Sequence, residues 1–171
     1  MKNMMRFQSS KSIAYCGLLT TLAMVFSYVE SLIPLDFSIP GVKLGLANVV
    51  SVIAIYLFAP VYAYIIVILR VLLTGFLFGN LYSIIYSLSG AIFSLLAMLF
   101  LKKTEKVSIY GVSITGGVVH NIGQLFVAVL VVNQLKLSFY GPVLIISGVI
   151  MGLVIGWISS VIIKRVETYV R

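Results

Sequence analysis

The chain alternates long apolar runs with short polar interruptions. Reading for stretches of about 18 or more apolar residues, the length a helix needs to cross a bilayer, gives six segments, at 12–33, 44–59, 61–78, 81–101, 112–132 and 139–163. The second is short. Lys11 precedes the first run and Pro34-Leu35-Asp36 follows it, Pro60 divides the second from the third, and Gly79-Asn80 is a turn signal before the fourth. The pattern predicts an all-α integral membrane protein, a single membrane domain over 1–171 with six transmembrane helices and almost nothing left outside the bilayer. The first run follows Lys2, Arg6 and Lys11 as a signal peptide's apolar region would. It is too long for one and ends in Tyr28-Val29-Glu30, so it is read as a retained helix.

Composition agrees with the pattern. Hydrophobic residues make up 61% of the chain and charged residues 9%, against about 45–50% and about 25% in soluble domains. An ordinary water-soluble globule is excluded. Twelve Lys and Arg against four Asp and Glu give a formal charge of +8, and their positions carry more information than their sum. Lys2, Arg6, Lys11, Lys102, Lys103, Lys106, Lys164, Arg165 and Arg171 fall on one side of the predicted topology; Lys43 and Lys136 fall on the other. The positive-inside rule then puts both termini in the cytoplasm of a multi-pass protein of the bacterial cell membrane, in contact with lipid. Charge so distributed is no footprint for nucleic acid.

Much chemistry is excluded by inventory. Cys16, His120 and Asp36 are each the only residue of their kind, which leaves no disulfide framework and no metal-ligand cluster. There is no glycine-rich nucleotide loop, so the chain does not hydrolyse ATP by itself. No catalytic residue, metal or cofactor is expected.

Ionisable and amide groups inside the spans carry the functional expectation, because each is costly in hydrocarbon. Arg70 lies ten residues past Pro60, about 15 Å at 1.5 Å per residue and near the midplane. His120 lies at similar depth in the fifth run, with Asn121 beside it and Gln124 one turn further on. Asn48 lies in the second run. Glu30 and Lys43 flank the 34–41 connection, whose two prolines and glycine fit a cap over the site. The expected pocket opens outward and is lined by Asn48, Arg70, His120, Asn121 and Gln124, closed by Glu30 and Lys43, with Tyr82 and Tyr86 available for stacking. Arg70 with Lys43 favours a carboxylate or phosphate group. Structural readings stand beside these: Arg70 has Glu30 as an ion-pair partner, and amides and His120 also serve as hydrogen bonds between helices.

Small residues form a second pattern. Ser12, Cys16 and Thr20 recur every four residues in the first run, and Ala14, Gly17, Thr21 and Ala23 widen that narrow surface. Ser147, Gly148, Gly152, Gly156 and Ser159 do the same in the sixth. Internal packing accounts for one such face; two point to contact with another subunit.

The runs Lys43-Leu44-Gly45-Leu46-Ala47-Asn48, Leu69-Arg70-Val71-Leu72-Leu73 with Gly75 and Gly79, Ser87-Leu88-Ser89-Gly90 and Val119-His120-Asn121-Ile122-Gly123-Gln124 resemble the bacterial Gx transporter family, also labelled heptaprenyl diphosphate synthase component I. The resemblance spans about 13–163. That family in turn resembles the substrate-binding S components of energy-coupling factor (ECF) transporters. The resemblance implies an S-component-like six-helix bundle, an outward pocket for a small-molecule substrate, and a first helix docked through Ser12, Ala14, Cys16, Gly17 and Thr20 to membrane-coupling and ATPase subunits in trans. S components carry spaced alanines on that face, where this chain has Ser12, Cys16 and Thr20.

Two further functions compete with a binding subunit. Prenyl diphosphate synthesis needs Mg²⁺ held by clustered carboxylates, and the four acids Glu30, Asp36, Glu105 and Glu167 form no Asp-rich motif; an accessory, membrane-anchoring role is what that label leaves. An accessory subunit of a membrane redox complex would leave no signature. The expected substrate is small, anionic and vitamin- or isoprenoid-like. The predicted orientation is checked by a cysteine placed at Ser38, with Cys16 replaced. It reacts with an impermeant maleimide on intact cells, and labelling only after lysis reverses the topology.

Overall fold

The computed structural model describes residues 9–32 and 45–170. They form six α-helices, α1 (Ser9–Leu32), α2 (Asn48–Leu57), α3 (Pro60–Phe78), α4 (Leu81–Thr104), α5 (Ile109–Val132) and α6 (Gly141–Val170), with a short 3-10 turn at Leu135–Tyr140 before α6. All but α2 are long and apolar enough to cross a membrane, five in number among the described residues. The molecule is an all-helical membrane protein.

The helix ends follow from local chemistry. Pro60 opens α3 at a position where its missing N–H would have had no partner. Asn80 caps α4: its Oδ1 accepts the Ser83 N–H at 2.8 Å while Ser83 Oγ accepts the Asn80 N–H at 3.0 Å. The turn signal at Gly79-Asn80 is thus a tight α3–α4 hairpin. Ser108 caps α5 through Gly111 N–H, and Glu105 and Asn133 end α4 and α5 in the left-handed conformation.

The second run departs from expectation. Instead of a span over 44–59 there is a helix of ten residues, about 15 Å long, or half the hydrocarbon thickness. Gly45, Leu46 and Ala47 make a turn, with Gly45 at φ +71, a conformation that suits glycine. Eight of the ten α2 residues are buried, and α1, α3 and α6 surround the helix. A helix apolar on every side belongs in an interior. Its two ends then need partners. The Gly45 N–H donates to Glu30 Oε1 at 2.6 Å. At the other end the Lys102 ammonium donates to the Ile55 carbonyl and lies 5.1 Å from the centre of the Tyr56 ring. An acid near the helix start and a cation at its end both oppose the macrodipole.

The small-residue faces divide differently from the sequence reading. On α6 the face is internal: a Cβ on Gly148 would lie 2.9 Å from the Val118 backbone, and one on Gly152 would lie 2.6 Å from the Ile114 Cα. These glycines let α5 and α6 approach backbone to backbone. On α1, Cys16, Thr20 and Ala23 are buried, which corrects the expectation that Cys16 and Thr20 form an exposed docking face. At about 100° per residue they fall on the side turned to the bundle. Ala14 and Gly17 fall on the exposed side, and a Cβ on Gly17 would meet nothing within 4 Å. Ser12 belongs to the first turn of α1; its side chain lies outside the described residues.

This packing sets two stability predictions, read as thermal unfolding in detergent. Gly152→Ala forces α5 and α6 apart and costs about 1–3 kcal/mol, whereas Gly17→Ala is neutral or slightly stabilising. Equal effects of the two would mean that the α5–α6 approach is not set at Gly152. Lys102→Met keeps the apolar stem but leaves the Ile55 carbonyl without its ammonium, and should cost about 1–3 kcal/mol; an unchanged melting temperature would show that the cap is dispensable.

Candidate functional site

Asn48 lies ten residues before Phe58 and Arg70 ten residues after Pro60, so the α2–α3 hairpin brings both to the same depth, about 15 Å from its turn. Because α2 stops there, the space beyond its first turn is left for a cavity of about 260 Å³. Its wall is built from the end of α1 (Ser27, Glu30, Ser31), the start of α2 (Gly45, Asn48), the second half of α3 (Arg70, Val71, Thr74, Phe78), the start of α4 (Ser83, Ser87), α5 (Gly117, His120, Asn121, Gln124) and α6 (Gly148, Met151, Ile155). The cavity lies at the end of the bundle opposite Lys102, Lys103, Lys106, Lys164 and Arg165.

The side chains are positioned by close backbone contacts. Gly90 on α4 faces α5 where a Cβ would come within 2.7 Å of both the Gln124 Cγ and the His120 carbonyl oxygen. Gly123 on α5 answers it, with the site of its own Cβ 3.2 Å from the Gly90 Cα. The Ser87–Gly90 and His120–Gln124 runs, separate in sequence, thus meet at one helix crossing. On the other flank of α5, a Cβ on Gly117 would lie 2.6 Å from the Gly148 carbonyl, and both glycines border the cavity. Asn121 is buried, and its Nδ2 donates to the Leu144 carbonyl at 2.8 Å. It ties α5 to α6 as well as lining the cavity.

Arg70 dominates the electrostatics. Its side chain is 8% exposed, and its Nε is buried with no hydrogen-bond partner among the described residues. The Glu30 carboxylate attracts it across the cavity, while Glu30 Oε1 is engaged by the Gly45 N–H. The α2 N-terminus, which has no side-chain cap, also opens here and adds its positive dipole end. A buried cation, a helix start and a ring of amides and hydroxyls suit an anionic group.

Of the residues singled out in the sequence, Glu30, Asn48, Arg70, His120, Asn121 and Gln124 come together on this cavity. Tyr86 does not: Ser83 and Ser87, four apart, are the α4 residues that face the cavity, and Tyr86 is turned roughly 60–100° away from them around the helix. Tyr82 is exposed. Lys43 and the 34–41 connection lie outside the described residues. Sequence reasoning missed Ser27, Ser31, Thr74 and Ser83. Their only signal is the four-residue spacing of Ser27 with Ser31 and of Ser83 with Ser87, a pattern too common in apolar helices to stand out.

No curated protein and no solved structure matches the chain significantly. A family model does, over residues 19–162, a stretch that contains every described cavity residue. By that match the chain belongs to the family described as heptaprenyl diphosphate synthase component I.

Proposed function

We propose that this protein is the membrane-embedded substrate-binding subunit of an importer, S-component-like, that takes a small anionic compound and is energised by separate ATPase subunits. The observation that carries the reading is the cavity, bordered by all six helices around a buried arginine whose Nε has no hydrogen-bond partner among the described residues. A purely structural arginine would be expected to have its donors satisfied, since an unsatisfied buried donor costs about 1–3 kcal/mol and more when charged. The basic residues at the far end of the bundle support, by the positive-inside rule, a cavity that opens to the outer side, where an import substrate arrives. Ala14 and Gly17, exposed on α1, are the surface this reading assigns to the coupling partner.

The family description favours a second reading, a membrane accessory subunit of prenyl diphosphate synthesis. One experiment separates the two. The tagged chain, purified from its native membranes in mild detergent, is expected to bring down ATPase subunits with a membrane-coupling subunit. A soluble prenyltransferase in their place establishes the second reading. On the first reading, Arg70→Ala abolishes uptake of the substrate while Arg70→Lys retains part of it, because the fork of donors is lost in both and the charge only in the first.

A further inference from the structure

The cavity's volume and hydrogen-bonding inventory narrow its occupant. At about 260 Å³ it falls just below the roughly 300–1,000 Å³ of ordinary small-molecule sites, which suits a compact ligand rather than a long isoprenoid chain. Phe78 and the His120 imidazole are the two rings on its wall among the described residues.

Arg70 supplies the unpartnered donor. Around it the hydroxyl protons of Ser31 and Thr74 are committed to the backbone carbonyls of Tyr28 and Arg70, both at 2.7 Å, and the Asn121 Nδ2 is committed to Leu144. Each keeps oxygen lone pairs with which to accept. The Asn48 and Gln124 amides and the Ser27 and Ser87 hydroxyls on the same wall both donate and accept. The wall therefore offers one cation among groups of mixed sense, and its complement carries one acid group together with hydroxyls, which likewise donate and accept. Glu30 borders the same space and repels a second negative charge, which disfavours a diphosphate.

We infer that the ligand of this cavity is a compact, hydroxyl-rich monocarboxylate and not an isoprenoid. The inference rests on the binding-subunit reading above and gives that site its substrate class. A carboxylate without hydroxyls would satisfy Arg70 and leave the surrounding acceptors dry, and sites built to hydrogen-bond a substrate hydroxyl discriminate strongly against analogues lacking it.

Calorimetry on the full chain in lipid nanodiscs tests this with four probes: quinate, gluconate, benzoate and dimethylallyl diphosphate. The hydroxy acids are expected to bind at least about tenfold more tightly than the other two, a difference of about 1.4 kcal/mol. Thr74→Val, close in shape and without the acceptor, should weaken the hydroxy acids by about tenfold and leave benzoate unchanged; Arg70→Lys should weaken every carboxylate. Tighter binding of benzoate or dimethylallyl diphosphate, if it depends on Arg70, overturns the substrate class and keeps the binding subunit. Binding of no probe at millimolar concentration also overturns the class, and co-purification of ATPase subunits then decides the binding-subunit reading separately.

Discussion

The short helix α2 is the constraint from which the rest of the structure follows. A backbone that stops halfway through a bilayer leaves polar groups that lipid cannot satisfy, at several kcal/mol each. The helix is therefore surrounded by α1, α3 and α6, and its ends are met by Glu30 through Gly45 and by Lys102. The same late start at Asn48 leaves room for the cavity. Had α2 run the full thickness, its next turns would occupy the space that Arg70 and His120 now border. One short helix thus accounts for a half-buried acid, a half-buried lysine and a polar chamber in an otherwise apolar bundle.

Close helix approach supplies the second element. The α4–α5 crossing depends on Gly90 and Gly123, and the α5–α6 crossing on Gly117, Gly148 and Gly152. A methyl group at any of them would meet backbone or a neighbouring side chain within about 3 Å, and in lipid, where apolar burial does not drive helices together, such backbone contact is what binds them. These crossings hold α5 at two faces and fix the direction of His120, Asn121 and Gln124. Packing and site are one arrangement on this helix.

How far this was legible in the sequence depends on the kind of signal. Arg70, His120, Asn48 and Gln124 were legible because a polar side chain in an apolar run is costly, and the depth of Arg70 could be read by counting from Pro60. The limits of α2 were not: Leu44 to Ala59 is apolar almost throughout, and hydropathy does not distinguish a span from a turn followed by a half-length interior helix. Gly45 was the residue to weigh, since its positive φ breaks the run. The α1 small-residue face was misread because spacing alone does not orient a helix. Cys16 and Thr20 repeat every four residues, yet so does a face turned to the bundle. Tyr86, offered for stacking, is not on the cavity wall, because residue type does not tell which side of α4 meets the cavity.

Glu30 links these features. Its carboxylate is held by the Gly45 N–H at the entrance to α2 and acts on Arg70 from across the cavity. It partly balances a buried cation that water no longer solvates, without occupying the Arg70 Nε. On the proposed reading, an anion that enters completes the arginine's hydrogen bonds, and charge-assisted bonds of this kind are worth about 1.5–3 kcal/mol. Glu30 opposes that gain by repulsion, so the affinity is set by the difference between the two terms. On that reading, this balance suits a singly charged ligand that must be both selected and released.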